Sequence, residues 1–177
     1  MPLLLRRLKG KHPTLWDPKT YISDCKWLRK GEIPGDLFTD WEIKTGCASV
    51  WLIEDDKSNL DAVQLSLMLI HDEPRTLSYI LFDTQILDLI GIVKKKSNSF
   101  TRFTPEVGNT WHYDLQNLSG SKLLALVKAV SDSNITREIK NKKVLGRIVQ
   151  EIDNGILSSD ELHEKWNEKI SMLPAPS

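Results

Sequence analysis

Cys47-Ala48-Ser49-Val50-Trp51-Leu52-Ile53 is an apolar, β-prone run that stops abruptly at Glu54-Asp55-Asp56. Its composition fits a strand in a buried position. A second such run, Leu77-Ser78-Tyr79-Ile80-Leu81-Phe82, ends at Asp83. Between them Leu60, Val63, Leu67 and Ile70 recur at helical spacing, with Ser58 or Asn59 placed to cap the helix and Glu73-Pro74 to stop it. A strand–helix–strand unit predicts that the two strands are parallel neighbours in one sheet.

Outward from this unit the pattern changes. Residues 1–46 carry the breakers His12-Pro13, Asp17-Pro18 and Ile33-Pro34-Gly35, and read as an irregular segment packed on the core, with a short helix between Pro18 and Lys30. Gln85–Ile90 reads as a short helix ended by Gly91, and Ile92-Val93-Lys94-Lys95-Lys96 as an exposed strand. Ser97–Asn109 is polar and turn-rich. Trp111-His112-Tyr113-Asp114 reads as a packed aromatic turn; an extended form would place His112 and Asp114 on one face. Residues 119–177 read as helices: one from Ser119 or Ser121, one from about Asn134 to Asn154, and one from Ser158 or Ser159 through Leu162, Trp166 and Ile170. The expected class is α+β, or a small α/β fold, with a sheet core over residues 47–118 and a helical C-terminal part over 119–177, all in one globular domain of 177 residues.

The 24 basic and 24 acidic side chains cancel overall but are segregated. Residues 1–30 hold eight basic against two acidic groups, 31–93 three against twelve, 94–147 eleven against four, and 148–177 two against six. Such blocks can steer a charged partner. Cys25 and Cys47 form no metal-binding pair and no disulfide framework, and read as reduced thiols of a cytoplasmic protein. Met1-Pro2-Leu3-Leu4-Leu5-Arg6-Arg7 lacks the order of a signal peptide, and no apolar run is long enough to suggest a membrane span.

Four features carry candidate chemistry. Glu54, Asp55, Asp56 and Asp83 fall where parallel strands would end together, the edge at which open α/β sheets bind ligands. Asp55, Asp56 and Asp83 could hold Mg²⁺, and with Glu54 and His112 they would make a metal-dependent hydrolase or nuclease. Acids ahead of a helix also serve simply as caps. Arg137, Lys140, Lys143 and Arg147 share a face of the expected 134–154 helix and define a nucleic-acid-binding alternative. Lys94-Lys95-Lys96, Arg102, Phe100 and Phe103 would extend it. Trp16, Trp27 and Trp41, three of six tryptophans, would pin residues 1–46 to the core or form an aromatic patch for a partner. No glycine-rich phosphate loop, nucleophile elbow or zinc spacing is present.

Ser49-Val50-Trp51 followed by acids, and Trp111-His112-Tyr113-Asp114-Leu115 ahead of a leucine-rich helix, are similar in look to small bacterial proteins, which implies a standalone bacterial cytosolic chain. The leading expectation is a non-enzymatic protein-interaction module, an accessory, inhibitor or immunity-type subunit of a conflict or defence system. Its acidic 31–93 region would steer a basic protein partner, and no cofactor is expected outside the Mg²⁺ alternative.

Overall fold

The computed structural model describes residues 1–8, 47–97, 110–133 and 136–173. Among the described residues six strands form one antiparallel sheet: β1 (Leu3–Leu8), β2 (Ala48–Ile53), β3 (Leu77–Asp83), β4 (Val93–Lys96), β5 (His112–Gln116) and β6 (Thr136–Ile139). Their order across the sheet is β4-β5-β2-β1-β3-β6. Five α-helices accompany them among the described residues: α1 (Leu60–Met68), α2 (Gln85–Ile90), α3 (Gly120–Ser133), α4 (Asn141–Asp153) and α5 (Glu164–Ser171). The class is α+β, with a largely helical C-terminal part.

Leu3-Leu4-Leu5-Arg6-Arg7-Leu8, expected to begin an irregular segment, is instead a central strand. Leu4 sits between Leu52 and Phe82, and Leu5 between Trp51 and Leu81, antiparallel on both sides. A strand covered on both faces needs apolar residues at consecutive positions, so the leucine run suits it. β2 and β3 therefore do run in the same direction, but they are not neighbours: β1 lies between them.

Side-chain alternation divides the core into two layers. On one face Leu4, Leu8, Val50, Ile80, Phe82 and Leu115 pack against Leu87 of α2 and Leu126, Val127 and Val130 of α3. On the other, Leu5, Trp51, Ile53 and Leu81 pack against Val63 and Leu67 of α1, Val144 and Ile148 of α4, and Trp166 of α5.

The helix expected over residues 134–154 is shorter. Thr136–Ile139 pairs with β3, Ile139 opposite Leu77, and the chain turns at the extended Lys140 before α4 begins. A spacing of four between Ile135 and Ile139 satisfies strand alternation as well as the helical repeat, so the sequence pattern admitted both. Trp111–Asp114 does not form a turn: His112–Gln116 is β5, paired to β2 and β4. The last expected helix is split. Ser158 and Glu161 form a reciprocal capping box over a single 3₁₀ turn, and His163 accepts from Lys165 N at 3.3 Å to open α5.

Candidate functional site

Because β2 and β3 share a direction, Glu54, Asp55, Asp56 and Asp83 emerge at the same end of the sheet. Leu3 of β1 separates them, paired with Ile53 on one side and Asp83 on the other. Two strand spacings put those flanking positions about 9.5 Å apart. Each carboxylate is occupied locally. Glu54 Oε2 accepts from Ser58 Oγ at 2.6 Å, and its Oε1 from Trp111 Nε1 at 3.3 Å. Asp56 Oδ1 accepts from Ser58 N at 2.9 Å, and Asp83 Oδ1 from Gln85 N at 2.8 Å. Asp55 Oδ1 lies 3.3 Å from the Met1 amino group. The hydrogen bond from the Ser58 main-chain N–H holds the Asp56 carboxyl below its ordinary range.

The acids thus form a rim and do not converge. Among the described residues, no three histidine, cysteine or acidic side chains gather as a metal site would require. The candidates Asp55, Asp56 and Asp83 share an end of the sheet without sharing a ligand sphere.

The rim is anchored from within. Asn59 is buried beneath the acidic turn; its Oδ1 accepts from Glu54 N at 3.0 Å and its Nδ2 donates to Leu52 O at 2.9 Å. The residue expected to cap α1 instead clips the end of β2 to the helix start. The neighbouring Glu54, Asp55, Asp56, Lys57 and Ser58 are exposed.

His112 belongs to a different arrangement. Its ring stacks on Trp51, with centroids 4.7 Å apart and planes 9° from parallel. Both rings are buried. Ser49 Oγ donates to Asp114 Oδ1 at 3.1 Å, while His112 Nε2 is 3.9 Å from that same oxygen. Alternation along β2 and β5 brings all four side chains to one face. The order is serine–aspartate–histidine. A nucleophilic serine needs the imidazole between hydroxyl and carboxylate, so that the ring can take its proton. Here the hydroxyl hydrogen is directed at the carboxylate, and the geometry is that of a packed polar cluster.

The basic candidates do not share one helix face. Arg137 is on β6 opposite Tyr79, and Lys140 precedes α4 and pairs with Glu138. Lys143 is exposed on the first turn of α4. Arg147 clamps α4 to α1: its guanidinium donates to Asp61 Oδ1 at 3.3 Å, to Asp61 O at 3.1 Å and to Gln64 Oε1 at 3.1 Å, and Glu151 lies 3.7 Å away. Trp16, Trp27, Trp41, Phe100, Arg102 and Phe103 lie outside the described residues. The lysine run expected to extend the basic face lies in β4, where alternation puts Lys94 and Lys96 on one side of the strand. Their ammonium groups lie 4.9 and 4.8 Å from the centroid of Tyr113.

No protein-family model, curated protein or solved structure matches the chain. Among the described residues no helix is long and apolar enough to cross a membrane.

Proposed function

We propose that this chain is a non-enzymatic protein-interaction module, an accessory, inhibitor or immunity-type subunit, that presents the acidic rim to a basic protein partner. The observation that carries this reading is the arrangement of Glu54, Asp55, Asp56 and Asp83. They lie at one end of the sheet, the first three are exposed on one turn, and β1 holds Asp83 apart from them. Dispersed surface carboxylates steer and orient a cationic partner over a wide face. Metal chemistry needs carboxylates directed at one point. Asn59, tied into both β2 and the acidic turn, presets the rim's shape, which limits the ordering cost of association.

The test compares proteins that co-purify with the intact chain and with a D55K/D56K/D83K variant, at low and at moderate salt. The expected result is one basic protein recovered in stoichiometric amount with the unaltered chain, weakened by salt and lost from the folded variant. Recovery of the same protein with the variant would overturn the reading.

A further inference from the structure

Among the described residues β4 is the last strand on one side of the sheet, and its outward edge has a defined hydrogen-bonding register. Ser97 N donates to His112 O at 3.1 Å, so the ladder bonds between β4 and β5 fall on the odd-numbered residues of this segment. The opposite edge of β5 agrees: Leu52 N donates to Trp111 O at 2.9 Å, assigning the odd residues of β5 to β2 and the even ones to β4. Alternation then turns the main-chain N–H and C=O groups of Lys94 and Lys96 away from β5. Among the described residues no strand lies on that side. Two pairs of main-chain groups therefore face outward at the spacing that an added strand requires.

The side chains decide which strand fits. Lys94 and Lys96 stand on one face over Tyr113, and Lys95 is exposed on the other. Val93 is 53% exposed beside them and offers an apolar contact. A lysine-rich edge opposes pairing with a second copy of itself, because lysine would lie opposite lysine. An acidic strand reverses the sign of that interaction at all three positions. We propose that the β4 edge, Val93–Lys96, accepts an extended acidic segment of a partner protein as a seventh strand, through the outward main-chain groups of Lys94 and Lys96. This surface is independent of the acidic rim.

The probe is a short fluorescein-labelled peptide alternating glutamate with valine, used with the full chain. A second peptide of the same sequence is N-methylated at alternate residues, which preserves its charge but removes strand-pairing donors. The first peptide is expected to bind with saturation in fluorescence anisotropy, the second about tenfold or more weakly. Amide hydrogen exchange at Lys94 and Lys96 should slow on binding, with Lys95 unchanged. A K94E/K96E variant should lose the interaction. Equal binding of the two peptides would mean plain charge attraction and overturn the proposal, as would no binding of the first. Self-association of the chain abolished by K94E/K96E would identify a second copy as the occupant and overturn it equally.

Discussion

Gln64 Nε2 donates to Tyr79 Oη at 2.8 Å across the interface of α1 and β3, and Gln64 Oε1 accepts from Arg147 of α4. One amide thus connects three elements in the layer containing Trp51 and Trp166. Burial raises the Tyr79 phenol above its ordinary value of 10.0, partly offset by the Gln64 hydrogen bond and the charge of Arg137. The folded state therefore holds this proton more tightly than the unfolded chain. Its stabilising contribution is complete below pH 10.0 and falls as pH rises through the higher folded value. Tyr79→Phe should reduce the alkaline loss of stability seen in urea unfolding at successive pH values. At neutral pH it should cost about 1–2 kcal/mol, because the Gln64 amide is left buried without its acceptor.

Trp166 joins α5 to the segment after α1 by donating from Nε1 to His71 O at 2.8 Å, with its ring almost fully buried. The two contributions can be separated. Trp166→Phe keeps most of the apolar volume and should cost about 1–2 kcal/mol through the lost hydrogen bond. Trp166→Ala should cost about 3–5 kcal/mol, as expected for removal of a buried indole. Denaturant midpoints of the two variants give the comparison.

Asn59 makes its two hydrogen bonds from a buried position, so Asn59→Ala should destabilise the chain by about 1–3 kcal/mol. The effect should be concentrated at the rim. Hydrogen exchange of the Glu54 amide should accelerate more than that of Val50, which lies in the middle of β2.

The main-chain N–H of Ser58 donates to Asp56 Oδ1 and is the first cause of the lowered Asp56 value. Because the Ser58 hydroxyl donates its one hydrogen to Glu54, Ser58→Ala should leave the Asp56 titration, followed by carboxyl carbon NMR, below the ordinary 3.8. The sign for stability is that of a depressed acid: the contribution is present above pH 3.8 and is lost as pH falls through the folded value. The variant should keep that acid dependence.

The strands at Ala48–Ile53 and Leu77–Asp83 were legible because apolar β-prone runs stop at charged residues. The helices at Leu60–Met68 and Gly120–Ser133 were legible from their repeat. β1 was not, since Leu3-Leu4-Leu5 followed by two arginines shows no alternation; coverage on both faces replaces the half-polar pattern. That omission misplaced the site. The acids were correctly assigned to one end of the sheet, but without β1 between them they looked adjacent and convergent. β6 was hidden because isoleucines four apart fit either period. The His112–Asp114 relationship depended on whether the segment was extended, which is decided by pairing with β2 and β4, more than sixty and about twenty residues away along the chain.

The position of β1 has a consequence for assembly. Among the described residues, β4-β5-β2 and β3-β6 form two half-sheets whose ladders meet at that strand alone. Each half presents a complementary edge, and β1 precedes both in the chain. A leucine-rich ribbon must therefore wait for distant partners before either seam can close, a long-range nucleation that slows folding and leaves sticky edges open meanwhile. Loss of this single keystone would unzip the molecule along both seams together.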